Sequence, residues 1–317
     1  MGAVSWQTSR RGTGFDHQAV FYRGLEGLRA QVVPYVRDGV RNGEQVLVAM
    51  VAGHVAEVER ALGSDATRVD FADMAELGGN PACILPEWRR FVAEAAGDGP
   101  VRGVAEPVWS GRRDVEVEEA LLHETLLDLA FAEGPQWQLL CPYDVGALPR
   151  HVVEEAARSH PTVIDGRTRS TAPGQPMRAE ATRRFSEPLR QAPASAVTVP
   201  FGAQDLTALR GLVRRLTAEA PLARGTSEDL VLAAHELSTN SVVHGGGRGV
   251  LRTWQEQDAF VVEVQDEGRI DDPLVGRDML PGLAENGRGI WMANQLCDLV
   301  QVRSGPSGTV VRLFAWL

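Results

Sequence analysis

Glu236 and Asn240 stand four residues apart in Glu236-Leu-Ser-Thr-Asn240, and His244-Gly245 follow one helical turn later. On a helix this spacing puts both side chains on one face, a turn apart. A carboxylate so placed can act as a general base, and the neighbouring amide oxygen can hold a metal ion between phosphates. Two glycine-bearing segments follow in order. Asp266-Glu-Gly268 closes the apolar run Phe260–Val264, where a carboxylate can accept a hydrogen bond from an exocyclic amine such as that of adenine. Gly268 allows the sharp turn that brings backbone close to a flat ligand. Gly287-Arg288-Gly289 precedes the apolar stretch Ile290–Leu296, so its N–H groups and a helix N-terminus can face phosphate, with Arg288 adding a charged contact. Gly308-Thr309 opens the last apolar run, where the hydroxyl can reach a base through water. Taken singly, each piece has an ordinary structural reading as a solvated helix position or a turn. Their ordered combination is what points to a nucleotide site.

Composition bounds the alternatives. The chain has 317 residues, 44% hydrophobic and 23% charged, which suits about two globular domains. A formal net charge of −10 argues against a general nucleic-acid binder. Cys83, Cys141 and Cys297 form no CxxC pair and imply neither a zinc motif nor a disulfide framework. No apolar run approaches the roughly 20 residues that span a bilayer. A cytoplasmic setting, with no membrane and no direct nucleic-acid partner, is the expectation.

Four regions follow from the patterning. Residues 1–14 read as a flexible arm. Residues 15–164 alternate helical and strand-like runs: helices over Leu25–Asn42 (ended by Asn42-Gly43), His54–Leu62, Pro86–Ala96 and Val115–Ala132, and strands over Val46–Val51, Val69–Phe71, Val101–Val108 and Trp137–Cys141. That alternation predicts an α/β layer structure with a mainly parallel sheet. Residues 165–196 are turn-rich and polar and read as a linker. Residues 197–317 predict an α+β domain: helices over Leu206–Leu216 and Leu230–Val243, an N-terminal cap at Thr226–Glu228, then strands over Val250–Gln255, Ala259–Gln265, Leu299–Ser304 and Thr309–Trp316.

Residues 197–317 resemble the GHKL ATPase superfamily, whose members bind ATP in the Bergerat α/β sandwich. Glu236-Leu-Ser-Thr-Asn240 looks like the N box, Asp266-Glu-Gly268 like G1, Gly287-Arg-Gly289 like G2 and Gly308-Thr309 like the closing Gly-Thr. Within the superfamily the anti-sigma-factor serine/threonine kinases are most similar. The resemblance implies ATP and Mg as cofactors, with Glu236 as general base and Asn240 as Mg ligand. It implies that Asp266 binds the adenine amine and Gly287, Arg288 and Gly289 bind phosphate. The implied partners are a sigma factor and an anti-sigma-factor antagonist, and related kinases are often homodimers. Two features depart from the pattern: Ile270 stands where G1 usually has a second glycine, and the lid, Asp271–Asn286, is short and carries Pro273 and Pro281.

Residues 15–164 resemble the MEDS sensory domain of bacterial regulators, related to RecA-like three-layer α/β domains. The matching segments are Asp16-His17, Phe21-Tyr22, Gly39-Val-Arg-Asn-Gly43-Glu44, Gly103-Val-Ala-Glu106-Pro107-Val-Trp109, His123-Glu124, Leu140-Cys141-Pro142-Tyr143-Asp144 and His160-Pro161. No GxxxxGK[ST] loop is present, in keeping with a family thought to have lost nucleotide hydrolysis. His17, Tyr22, Glu106, Trp109, His123 and Asp144 are the candidate lining of a sensory pocket for a small molecule or protein signal. His17 and His123 with a carboxylate could hold a metal, although no spacing requires it. Three functional readings follow: a regulatory serine/threonine kinase, an ATP-dependent partner-binding module without turnover, and a sensor histidine kinase. The last needs a phosphoacceptor histidine ahead of the ATP domain, and none occurs between Gly166 and Ala234.

Overall fold

An inner strand of the N-terminal sheet, β1 (Phe15–Tyr22), lies in a segment whose polar Asp16-His17-Gln18 hides it from a hydrophobicity reading. In the computed structural model the described residues are 14–95, 99–166, 168–171, 177–277 and 288–317. The arm read over residues 1–14 lies outside them except for Gly14. Contacts divide the chain into two compact units between Glu180 and Ala181.

In the first unit β1 is followed by α1 (Gly24–Asn42), β2 (Gln45–Met50), α2 (Ala52–Leu62), β3 (Asp70–Asp73), α3 (Met74–Leu77), α4 (Ile84–Ala95) and β4 (Val101–Ala105). Then come α5 (Asp114–Ala130), β5 (Trp137–Asp144), α6 (Arg150–Ser159), β6 (Thr162–Asp165) and β7 (Thr168–Thr171). The sheet order is β3-β2-β4-β5-β1-β6-β7. Every pairing is parallel except β6 with β7. Gly43 ends α1 as its sequence predicts, in the left-handed region at φ +74°. Period-two alternation sorts the central strands. Val20, Tyr22, Leu140, Val104 and Val48 pack with Leu28, Val32 and Val36 of α1 and Val58 of α2. His17 and Cys141 point to the other face, where Glu124 of α5 lies. Pro142 is tolerated inside β5 because the pairing with β4 ends at Leu140, leaving β1 as the only neighbour there.

The second unit contains β8 (Val197–Gly202), α8 (Leu206–Glu219), α9 (Arg224–His244), β9 (Arg248–Gln255), β10 (Ala259–Asp266), α10 (Arg288–Leu296), β11 (Leu299–Gly305) and β12 (Gly308–Trp316). Helix α7 (Met177–Ser186) precedes them. The five-stranded sheet has the order β11-β12-β10-β9-β8, all antiparallel. One face packs Leu251, Val262, Val264, Val311 and Leu313 against Leu209 and Val213 of α8, Leu230 and Leu237 of α9, and Ile290 and Ala293 of α10. The other carries a charged lattice in which Glu263 joins Arg252 (2.9 Å) and Arg312 (2.5 Å). The two units are thus an α/β domain with a mostly parallel sheet and an α+β domain with an antiparallel one. Among the described residues no helix is long and apolar enough to cross a membrane.

Several local expectations change. Residues 165–196 hold a strand, β7, and a helix, α7, as well as turns. Phe185 of α7 is buried in the C-terminal core, and the Arg190 carbonyl accepts a hydrogen bond from Arg312 Nη2 at 2.7 Å. A single large apolar residue therefore anchors a stretch whose composition reads as linker. Helix α6, with Val152, Ala156 and Ser159 buried at helical spacing, and strand β6 lie in a stretch where the sequence reading placed no element. Thr226–Glu228 is no cap: α9 begins earlier, after Ala223, which makes no side-chain capping bond.

Gly103 sits where β4 passes beneath α4. A Cβ there would lie 2.7 Å from the Trp88 ring and 2.8 Å from Leu139 Cδ1. Gly103→Ala is expected to destabilise the N-terminal unit by about 1–3 kcal/mol through overpacking, measured by urea unfolding; an unchanged midpoint contradicts this packing.

Candidate functional site

Asp266 is the last residue of β10, and its carboxylate is held on both oxygens. Ser241 of α9 donates to Oδ2 at 2.6 Å, and the Gly268 N–H donates to Oδ1 at 2.8 Å. The G1-like turn is packed against the end of α9. A Cβ at Gly245 would meet Asp266 Cγ at 2.4 Å, and one at Gly268 would meet Gly245 Cα at 2.9 Å. Glycine at both positions is what lets helix end, strand end and turn share this space. From the other side, Thr309 is paired in register with Asp266, and its hydroxyl donates to the Gly268 carbonyl at 2.9 Å. Ser304 Oγ lies 2.9 Å from Thr309 Oγ1 and accepts from the Ile270 N–H at 2.8 Å. The Thr309 hydroxyl thus holds the turn directly.

Asn240 is half-buried on α9, as is Glu236 one turn before it. Gly289, near the start of α10, presses on Asn240: a Cβ there would fall 2.3 Å from its Nδ2. Arg288 is exposed at the first position of the same helix. The end of β10, the Asn240 region of α9 and the N-terminus of α10 are therefore brought together. Gly287 and most of the lid read over Asp271–Asn286 lie outside the described residues. Ile270, the departure from the glycine pattern, packs against the hydrophobic core. Sequence reasoning missed Ser241 and Asn294; the latter is buried and donates from Nδ2 to the Gly276 carbonyl at 2.8 Å. Serine on a helix and asparagine in an apolar stretch carry no signal until a partner is in view.

The fit to a nucleotide and its cation rests on donor chemistry. Asp266 offers a half-buried acceptor at the end of β10, Asn240 offers an amide oxygen to a hard cation, and the first N–H groups of α10 have no partner within their own helix, which suits phosphate.

The six sensory candidates separate. Tyr22, Glu106 and Asp144 lie at the carboxyl ends of β1, β4 and β5. The Tyr22 hydroxyl donates to Glu106 Oε1 at 3.3 Å, and burial with Glu106 and Asp144 nearby pushes its pKa up. His54 joins them: its Nδ1 is 2.8 Å from Glu106 Oε1, while the Val51 N–H donates to Oε2 at 3.2 Å. β2 connects onward to β3 and β4 to β5, on opposite sides, so Glu106 stands at the switch point where α/β sheets place ligands. Asp144 also accepts from the Gly24 and Gly146 N–H groups at 3.1 and 2.9 Å. Trp109 lies instead under the Arg112 guanidinium, 4.3 Å from the ring centroid. His123 is wholly buried on α5. The pairing of His17 with His123 gives way to a different group, because helical geometry turns the adjacent Glu124 toward the sheet: His17 meets Glu124, Cys141 and His160.

Glu106 holds the His54 pKa above its ordinary value by hydrogen bonding, against the opposing effect of partial burial. A raised folded-state pKa stabilises the fold below about pH 6.5, the unperturbed imidazole value, and that contribution fades as pH rises through the folded value. His54→Gln is expected to flatten this part of the thermal midpoint–pH profile; identical slopes in wild type and variant contradict the pair.

Comparison with known proteins follows the same division. A family model for the MEDS domain (MEthanogen/methylotroph, DcmR Sensory domain) matches residues 16–161, and one for the histidine kinase-like ATPase domain matches residues 199–315. No curated protein matches the chain. Among solved structures, the RsbU and RsbW domains of a Mycobacterium tuberculosis protein are similar at 20% identity and a TM-score of 0.30, over 40% of this chain and 33% of that one. This chain thus matches about a third of that structure's length. The protein joins an N-terminal MEDS domain to a C-terminal histidine kinase-like ATPase domain.

Proposed function

We propose that the C-terminal unit binds Mg·ATP between α9, the end of β10 and the start of α10, and phosphorylates a serine or threonine of a protein partner. The observation that carries this reading is the contact of Gly289 with Asn240 beside the Asp266 turn. Asp266 receives the base amine. Asn240 ligates the cation, while Arg288 and the α10 N–H groups hold phosphate. Glu236 accepts the proton of the attacking hydroxyl. Bound Mg·ATP supplies the transferable phosphoryl group and neutralises its charge. The partners that fit the sequence resemblance are a sigma factor and an anti-sigma-factor antagonist. The N-terminal unit biases the output through the signal it senses.

A second reading, partner binding without turnover, is favoured by Ile270. Its half-buried side chain packs against the core and its N–H is tied to Ser304, which stiffens the turn where the usual pattern has glycine.

Asn240→Ala is expected to remove the Mg-dependent part of ATP binding, read by calorimetry with and without Mg; full retention excludes the metal role. Glu236→Ala is expected to keep ATP affinity and lose phosphotransfer from labelled ATP to candidate antagonist proteins by about 10²–10⁴-fold. Equal transfer by wild type and variant removes Glu236 as base. Tight nucleotide binding with no transfer by wild type to any candidate supports the second reading.

A further inference from the structure

His17, Glu124, Cys141 and His160 come from β1, α5, β5 and the residue following α6, and all four are buried. Their donor atoms lie within 4.8 Å of one another. We propose that these four side chains form a closed site for a divalent transition metal of the zinc class inside the MEDS domain. The site is separate from the nucleotide reading and does not depend on it.

Three observations converge on it. The first is the set of outer contacts. His17 Nδ1 lies 3.0 Å from Asp128 Oδ2, and His160 Nδ1 lies 2.8 Å from the Ala156 carbonyl. A carbonyl and a carboxylate are acceptors, so each Nδ1 carries the hydrogen and each Nε2 is left to face the cluster. Metal-bound histidines are tied in this way, by a carboxylate or backbone carbonyl on the far nitrogen.

The second is spacing. Tetrahedral bonds of about 2.0 Å to nitrogen or oxygen and about 2.3 Å to sulfur put ligand atoms roughly 3.3–3.6 Å apart. His17 Nε2 is 3.5 Å from Cys141 Sγ and 3.4 Å from Glu124 Oε2, within that range, while Cys141 Sγ is 3.9 Å from the other carboxylate oxygen, Oε1. His160 Nε2 and Glu124 Oε2 are closer, at 2.7 Å.

The third is that short separation itself. With its hydrogen on Nδ1, a neutral His160 turns a lone pair toward a carboxylate oxygen. His160 Nε2 is buried and, despite this approach, makes no hydrogen bond among the described residues. Two facing lone pairs need a positive charge beside them, and a metal shared by all four donors provides one. Tyr143 donates to Glu124 Oε2 at 3.0 Å and orients the carboxylate. The mixed thiolate, imidazole and carboxylate set selects a borderline metal over Mg or Ca. Four protein ligands leave no open position, so the site is structural or sensory in character.

The test uses tag-free full-length protein stripped with a chelator and titrated with Co²⁺ alone, then Zn²⁺. The expected result is one cobalt per chain, with the visible bands of tetrahedral cobalt and a thiolate-to-cobalt charge-transfer band, all bleached by one equivalent of zinc. Cys141→Ser is expected to abolish the charge-transfer band and weaken binding at least tenfold. Asp128→Asn, in a positioning residue, is expected to keep the band and weaken binding about 10–100-fold. Cys83→Ser is expected to change neither. Folded protein that gives no tetrahedral cobalt spectrum overturns the proposal, and so does a spectrum that Cys141→Ser leaves intact. If Cys141→Ser does not fold, Asp128→Asn decides: undiminished affinity overturns the site.

Discussion

The start of α10 lies against α9 at residue 289, which has no side chain. A Cβ there would collide with the Asn240 amide as it is now placed, so glycine lets that amide keep its orientation. The end of β10 meets the same two helices. Asp266, gripped by Ser241 and by its own turn, cannot move independently of α9. The carboxylate, the amide and the helix N-terminus are consequently parts of one assembly. Its rigidity comes from the apolar packing of Leu237, Val264 and Ile290 beneath it.

The N-terminal unit solves a related problem differently. A parallel sheet brings the carboxyl ends of its strands to one edge, and there Tyr22, Glu106 and Asp144 gather with His54. Side-chain alternation sends His17 and Cys141 to the opposite face of the same strands, against α5. One run of sequence from Phe15 to Tyr22 thus serves two polar clusters that share no face. Both are buried enough for each charge to need a named partner: Glu106 has His54 and the Val51 N–H, and Glu124 has the Tyr143 hydroxyl together with the metal proposed between it, His17, Cys141 and His160.

The convergence of α9, the end of β10 and the start of α10 was legible in the sequence because its contacts dictate residue types. Glycine at 268 and 289 is required by close approach, and the carboxylate at 266 ends an apolar strand that periodicity detects. Helix ends were less legible. Thr226–Glu228 has the composition of a cap yet lies inside α9, which starts at Arg224, and Arg224 pairs with Glu228 one turn on. β1 escaped the reading because three of its first four residues are polar, although His17 and Gln18 are buried. The His17 cluster was half visible. His17 was singled out, but its partners are spread from position 124 to position 160, and nothing in their spacing announces that β5, α5 and the end of α6 converge on one strand. The stretch 165–196 misled for a simpler reason: among its described residues Ala181 and Phe185, one turn apart on α7, supply the burial, and two residues barely move a composition.

Hydrogen exchange on the intact chain, with and without Mg·ATP, tests the central claim most directly, because it reads where the nucleotide acts without presuming turnover. The account predicts slowed exchange at residues 236–245 of α9, at the turn 266–270 and at the start of α10 near 288–290, all in the same titration. Slowing confined to the carboxyl edge of the N-terminal sheet, or none in these three segments at saturating nucleotide, would contradict it.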